Sequence, residues 1–252
     1  MQIALQFILF FLFFLFFIAV YPIYSQLNSD RPGYSDPPQT VGFGKLQWEN
    51  GFDFTFFEGR TEINEFKPLN SLIRYGISDF SEFRLSLGYS RSQDNSEISN
   101  SGFSDLGLGM KLKIFESDNS LLPSSSLIMS LGLPYGDDNF KPDILEPSLV
   151  FVFENAINDD YSVGYNLGFN WSEGDVSSLY SLSVAYNINE KLNATLGYLS
   201  ELYLNDKPKQ YLEFALGYML LNNLQIDFWT TYTPFYETKE NFFGVGFSWL
   251  LN

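Results

Sequence analysis

Charged side chains are the residues of this sequence whose type and spacing could do chemistry, and they fall on one parity of an alternating pattern. Because neighbouring β-strands lie ~4.8 Å apart, ion pairs between such positions are within reach. Two interpretations follow: a charged strip that selects or orients an anionic solute, or an internal salt-bridge network that fills a narrow barrel. We favour the second. The residues of this strip are Lys45, Glu49, Asp53, Arg74, Glu82, Arg84, Asp105, Lys111 and Lys113.

Catalysis and metal chemistry have little support in the residue types. The chain contains neither His nor Cys, so the commonest general base, the commonest metal ligand and the thiol nucleophile are all absent. The adjacent pair Asp137–Asp138 falls in a loop, where it more commonly keeps the loop solvated or binds Ca²⁺ weakly. We therefore expect no enzymatic activity and no cofactor. The net charge of −16 also argues against nucleic acid as a partner.

Strict alternation of apolar and polar residues runs from residue 42 to the end of the chain. In the stretch "KLQWENGFDFTFF" (45–57), Trp48, Phe52 and Phe54 oppose Gln47 and Glu49. About twelve stretches repeat this period of two, which is that of β-strands. Short turns at 78–80, 188–191 and 221–223 alternate with longer, more acidic loops. The pattern predicts an all-β protein, an antiparallel up-and-down transmembrane β-barrel of about twelve strands over residues 42–252.

The apolar parity carries aromatic residues near the strand ends. Tyr161 and Trp171 are ten residues apart on one strand, which corresponds to about 25 Å of membrane normal for a tilted strand. No charged residue occupies this parity, and Asn50 is its one polar exception in the first strand. In a soluble barrel or sandwich the same face would be the core, so alternation alone leaves that alternative open. The predicted aromatic girdle comprises Tyr75, Tyr89, Tyr161, Trp171, Tyr198, Tyr218 and Trp249.

Two segments precede the predicted barrel. Residues 1–25 read as a secretory signal peptide, with an uncleaved membrane anchor as the alternative. Residues 26–41 are rich in Pro and are expected to be extended. We expect this second segment to enter the periplasmic mouth as a plug that pairs Arg31 with an acidic residue of the lumen; a loose leader outside the barrel is equally compatible. The residues expected to form the plug are Asp30, Arg31, Pro32 and Gly33.

The start of the chain resembles a known family. The run "NSDRPGYSDPPQTVGFGKLQWENGFDFTF" is similar to the opening of the phenol meta-pathway degradation proteins, which are often labelled simply as transporters. The stretches "LIRYGISDFSEFRLSLGY", "SDLGLGMKLKI" and "GVGFSWLL" resemble later strands of that family. The resemblance implies a β-barrel in the outer membrane of a Gram-negative-type bacterium. It also implies the lipid bilayer and the outer-membrane assembly machinery as partners, and a small solute as cargo.

Three functions are compatible with these features. The first is a passive outer-membrane channel for small solutes, apolar and aromatic ones included. The second is a closed structural or surface-interaction barrel without conductance, whose acidic loops meet partners. The third is a soluble exported β-sandwich, which would place the apolar face inside. We favour the channel. The soluble alternative is disfavoured because the polar face is rich in small residues, whereas the solvated exterior of a soluble protein would be richer in Lys and Glu.

Overall fold

A closed antiparallel sheet accounts for nearly all regular structure in a computed structural model of the chain. The structure describes residues 27–58, 64–93, 99–117, 121–172, 175–204, 207–234 and 239–251, so the predicted signal peptide lies outside the described residues. The twelve strands are β1 (Leu46–Glu58), β2 (Asn64–Ser78), β3 (Ser81–Gln93), β4 (Ser99–Phe115), β5 (Ser124–Gly132), β6 (Glu146–Ala156), β7 (Tyr161–Ser172), β8 (Asp175–Asn187), β9 (Leu192–Tyr203), β10 (Lys209–Leu221), β11 (Leu224–Tyr232) and β12 (Lys239–Leu251).

The topology is a simple meander that closes on itself. Every strand pairs with its sequence neighbours, and β1 pairs with β12 in antiparallel register from Leu46–Leu251 to Glu58–Lys239. Closure leaves no free edge, so the backbone hydrogen bonds are satisfied within the sheet. The prediction of an up-and-down barrel of about twelve strands is confirmed. No helix in the described part of the chain is long and apolar enough to cross a membrane.

The barrel carries its apolar residues on the outside. Phe52, Phe56 and Leu108 are 40%, 49% and 40% exposed, whereas Glu49 and Lys111 are 1% and 0% exposed. A soluble barrel would show the reverse, because apolar side chains drive folding by leaving water. The outward apolar band and the polar lumen are the arrangement of a membrane-spanning barrel.

Asn50, the polar exception on the apolar parity, is satisfied by its neighbours. The Ser71 Oγ donates to Asn50 Oδ1 over 2.6 Å, and Trp48 Nε1 donates to the same Oγ over 3.1 Å. The Trp48 ring also meets Phe247 edge to face, with ring centroids 4.9 Å apart. Asn50 is therefore only 3% exposed, and its amide is kept from the lipid by a short hydrogen-bonded chain.

Strand β4 departs from the predicted alternation next to β3. Ser86 pairs with Gly107 and Gly88 with Ser104, so β4 has one residue more than β3 between these two pairs. Asp105 lies in this β-bulge with φ of 55°. The predicted alternation of β4 consequently breaks at this point, and the bulge lets the Asp105 carboxylate reach Lys67 Nζ at 3.0 Å.

Candidate functional site: a lumen occupied by the N-terminal segment

Residues 27–41, here called the inner segment, lie inside the barrel. The backbone N–H of Val41 donates to Glu82 on β3, and Thr40 Oγ1 donates to the carbonyl of Asp79 in the β2–β3 turn. The backbone N–H of Tyr34, in contrast, donates to Glu213 on the opposite side, on β10. The segment thus leaves the rim at the β2–β3 turn and crosses the lumen, instead of remaining outside the barrel.

Asp30 is the main contact of the inner segment with the wall formed by β2, β3 and β4. Its carboxylate lies 2.8 Å from Lys111 Nζ and 3.1 Å from Arg74 Nη1, and it also pairs with Arg84. Burial alone would raise the pKa of Asp30, but the charges of Arg74, Arg84 and Lys111 outweigh it and hold the pKa well below its usual range. Asp30 is therefore ionised at neutral pH and completes this cluster.

The structure brings together about half of the predicted charged strip. Arg74 pairs with Glu49 at 2.9 Å and with Glu82 at 2.8 Å, and Arg84 pairs with Glu82 at 3.0 Å. With Asp30, three bases face three acids, so the cluster is neutral. The other strip residues lie elsewhere: Lys45 at the rim before β1, Lys113 beside Glu116, Asp105 beside Lys67, and Asp53 on the opposite side of the inner segment.

Arg31 faces the other wall of the lumen. Its Nη2 lies 3.1 Å from Asp227 Oδ1 and 3.7 Å from Asp53 Oδ1, and its Nε donates to Asp227 Oδ2 over 3.3 Å. Gly51 and Gly246, which pair across β1 and β12, provide the space for its guanidinium. A Cβ at Gly51 would collide with it, and one at Gly246 would come within 2.5 Å of Nε. Arg31, which the sequence predicts to pair with an acidic residue of the lumen, thus lies beside Asp227 and Asp53.

Gly33 and Tyr34 form the part of the inner segment that reaches β10, β11 and β12. Gly33 has φ of 100°, a conformation that favours glycine, and it lies against the Glu213 carboxylate. The Tyr34 ring contacts the rings of Tyr211, Trp229 and Phe242. These three aromatic residues were not among the site residues predicted from the sequence. Their signal was present, because each is an aromatic residue on the otherwise polar parity of its strand.

Asp36 lies on the return path of the inner segment. Burial, and next the nearby charge of Asp30, raise its pKa to about 6, against the opposing effect of Lys111, Arg84 and Arg74. The carbonyl of the following residue, Pro37, accepts a hydrogen bond of 2.9 Å from Lys111 Nζ. Asp36 is therefore the acid of the segment whose charge the docked state disfavours.

Two cavities open into the lumen from its two ends. A cavity of about 620 Å³ lies near the long loops and is lined by residues of β2 to β7, among them Lys67, Asp105 and Glu146. A second of about 960 Å³ lies near the short turns, and its lining includes Leu27 and Gln225. The cavities have no lining residue in common. Their arrangement is that of two vestibules on either side of an occupied constriction.

The remaining predicted positions lie on the surface. Tyr75, Tyr161, Trp171, Tyr198 and Tyr218 are 36–46% exposed on the outer face, and Tyr89 and Trp249 are half-buried there. In the loop before β6, Asp137 accepts a backbone hydrogen bond from Phe103 and Asp138 pairs with Lys141. Within the described ranges, no three carboxylate, His or Cys groups gather as metal ligands would.

Comparison with protein families bears on this geometry. The family described as "Putative MetA-pathway of phenol degradation" matches residues 29–251. The chain belongs to this family. The match begins within the inner segment and ends with β12, so the family pattern includes both the barrel and the segment inside it. None of the curated proteins matches the sequence.

Solved structures show the same fold at low sequence identity. An outer-membrane channel from Pseudomonas putida F1 aligns with a TM-score of 0.70 at 13% identity, over 86% of this chain and all of that one. The transport unit of the autotransporter AIDA-I from Escherichia coli gives 0.55 at 8% identity, over 81% and 89% of the two chains. The NanC porin gives 0.52 at 13% identity, over 79% and 98%. The fold of this family member is thus that of outer-membrane β-barrels.

Proposed function

We propose that this family member is a passive outer-membrane channel for small solutes, and that the inner segment keeps its lumen closed at rest. The observation that carries the proposal is a polar lumen with a vestibule at each end and a chain segment at the constriction between them. That segment is held largely by ion pairs and hydrogen bonds, which water and solute can replace. Twelve strands also lie between the filled eight-stranded barrel and the open sixteen-stranded porin.

The proposal assigns roles to the parts of the chain. Residues 1–25 direct export, residues 26–41 close the lumen as a plug, and residues 42–252 form the barrel that the assembly machinery inserts. The outward Tyr and Trp residues lie at the two headgroup levels, since an amphipathic ring prefers that depth. The charged groups of the lumen act on the solute by position and charge. Transport by this route needs no catalytic step.

A conductance measurement tests the channel. The full-length protein and a variant that lacks residues 27–38 would each be refolded and inserted into planar bilayers. We expect small or rare steps from the former and larger, longer steps from the deletion variant, because the deletion removes Asp30, Arg31 and Tyr34 from the constriction. Silence from both proteins, with folding verified by heat-modifiable gel mobility, would contradict the channel.

The second candidate is a closed barrel that acts by structure or by surface contacts. The observation in its favour is that charged side chains of the lumen are fully buried: Arg74 and Lys111 are both 0% exposed. If the segment never leaves, these groups serve as a salt-bridged core. The deletion variant separates the candidates, because a closed barrel would misfold without its core, whereas a plugged channel would conduct.

A further inference from the structure

Three aromatic residues face the lumen on adjacent strands, against the alternation of the barrel. They are Tyr211 on β10, Trp229 on β11 and Phe242 on β12. Tyr211 and Trp229 are only 3% and 8% exposed, whereas the aromatic residues on the other parity meet the outside. Lumen-facing positions of a membrane barrel are normally polar, so large aromatic rings at these positions are exceptions. Such exceptions are expected at functional sites. We call these three residues the aromatic pocket.

Tyr34 occupies the aromatic pocket. Its ring meets Trp229 edge to face, with centroids 5.4 Å apart and an interplanar angle of 88°, and it lies 6.1 Å from Tyr211 and 6.3 Å from Phe242. Trp229 and Phe242 are parallel, with centroids 6.1 Å apart at 12°. These are the separations at which aromatic rings attract one another beyond the burial of area. The pocket therefore holds one further planar ring, and the inner segment supplies it.

The pocket rings are held in place by the barrel itself. Trp229 Nε1 donates to Asp53 Oδ1 over 3.0 Å, and the Tyr211 hydroxyl donates to Glu240 Oε2 over 3.1 Å. Gly244 leaves the space for the Trp229 indole, since a Cβ there would collide with Nε1. None of these contacts involves Tyr34. The pocket would thus keep its shape when Tyr34 leaves, which is the condition for binding another ring at low cost.

We propose that the aromatic pocket is the binding site of a neutral phenolic solute, and that Tyr34 is the internal occupant which such a solute displaces. This inference rests on the proposed channel function and names its solute class. The occupant indicates the class of solute, because the Tyr34 side chain is a para-alkyl phenol. The surrounding wall indicates that the solute is neutral. Its carboxylates, Asp53, Glu213 and Glu240, accept hydrogen bonds from Trp229, Tyr34 and Tyr211 and would repel an anion.

The same electrostatics act on Tyr34. Burial, and next the charges of Glu201, Glu213 and Glu240, raise the pKa of its hydroxyl well above the usual value. A phenol in the pocket is therefore kept protonated, and an aromatic carboxylate of similar shape is disfavoured. Because solute and Tyr34 compete for one position, binding of the solute favours release of the inner segment, and release of the segment favours binding by the same factor.

Fluorine NMR on the full-length protein tests the proposal. The chain has four Trp residues, so incorporation of 5-fluorotryptophan gives four signals, and Trp229→Phe assigns that of the pocket. The probe is 4-methylphenol, with 4-methylbenzoate as the charged control of similar shape. We expect 4-methylphenol to bind at least tenfold more tightly to Tyr34→Ala than to the wild type, because the wild-type pocket is occupied. The shift of the Trp229 signal during a titration with 4-methylphenol gives both affinities. In Tyr34→Phe, which retains the ring, binding should stay as weak as in the wild type.

Further variants keep the result decisive. In the Tyr34→Ala background, Phe242→Leu removes one pocket ring with little change of volume, and it should weaken 4-methylphenol binding several-fold. Equal affinity in the wild type and Tyr34→Ala would overturn the proposal, as would binding of 4-methylbenzoate with similar affinity, or equal shifts of all four Trp signals, which indicate partition into detergent. Conductance of the same preparations tests the channel separately from the pocket. Conductance steps without 4-methylphenol binding would support the channel and refute the pocket. Binding without conductance steps would support the pocket and refute the channel.

Discussion

Replacement of Asp30 by Asn should release the inner segment. Its carboxylate contacts Arg84, Lys111 Nζ at 2.8 Å and Arg74 Nη1 at 3.1 Å, all in a site where Arg74 and Lys111 are fully buried. Loss of one partner of a buried ion pair costs about 3–5 kcal/mol. We expect the lower end of this range, because Arg74 and Arg84 retain Glu82 as a partner. About 3 kcal/mol corresponds to a shift of roughly 100-fold in the ratio of released to docked segment.

Asp36→Asn is the matched control for this prediction. It makes the same chemical change, six residues further along the same segment, but at a carboxyl whose charge the docked state disfavours. We expect it to leave docking unchanged or to tighten it. The two variants therefore remove the same formal charge from the lumen, but only Asp30→Asn should favour release of the inner segment.

Two assays measure the release. The first is the ratio of open to closed time in planar bilayers. The second exploits the absence of Cys in the chain: Ser35→Cys introduces the sole thiol, inside the lumen, and its rate of reaction with a bulky maleimide reports release. We expect Asp30→Asn to raise both quantities by about two orders of magnitude. If Asp30→Asn and Asp36→Asn raised them equally, the effect would come from net charge and the reasoning from specific ion pairs would be refuted.

Three further predictions follow from other contacts. Lowering the pH from 7 to 5 should reduce conductance, because the docked state raises the pKa of Asp36 from 3.8 to about 6 and so binds more protons in this window. The contribution of Asp30, whose pKa is lowered, is lost only below the ordinary pKa range of an Asp carboxyl. Asp36→Asn should therefore reduce the pH effect between 7 and 5, and an effect of unchanged size would contradict the assignment to Asp36. Gly51→Ala should displace Arg31 and speed the reaction of maleimide with a Cys at position 35. Gly168→Ala is the control, because its Cβ would meet nothing closer than 3.3 Å, and it should leave the rate unchanged. Equal rates in the two variants would contradict the need for a glycine beside Arg31. Ser71→Ala should lower the free energy of unfolding by about 1–3 kcal/mol in a urea titration, because Trp48 Nε1 and Asn50 Oδ1 lose their shared partner on the lipid side. An unchanged unfolding midpoint would refute the contribution of these hydrogen bonds to stability.

The barrel could be predicted from the sequence because its signal is repeated from strand to strand. Most of the twelve strands show the period of two independently, so one irregular strand does not change the predicted fold. Pro147 illustrates this. Proline is unusual inside a strand because it has no backbone N–H, yet Pro147 lies within β6 and pairs with Leu131. The regular strands on either side support the assignment of β6 as a strand. The bulge at Asp105 could not be predicted, because one extra residue in a register of twelve pairs leaves the composition of both faces almost unchanged.

The lumen was harder to predict, because its contacts join residues far apart in the chain. Arg31 and Asp227 are separated by 196 positions, and the pairing depends on which strand lies opposite β1 to β4 in a barrel of twelve. Parity identifies which charges face inward but not their height or their angle around the barrel. This is why Lys45 and Lys113 were grouped with Arg74 in the predicted strip, although the structure places them near the rim.

The order of charges in the inner segment follows from the two walls that it separates. Asp30 and Arg31 are adjacent, so their side chains diverge, and each meets a wall of the opposite sign: bases on β2, β3 and β4, acids on β1 and β11. Removal of the segment would expose Arg74, Arg84 and Lys111 across the lumen from Asp53 and Asp227. The opened constriction would then carry an electric field perpendicular to its axis, which orients a dipolar solute as it passes. If the inner segment closes the lumen as proposed, the same two residues thus also mask the field that an open channel would use.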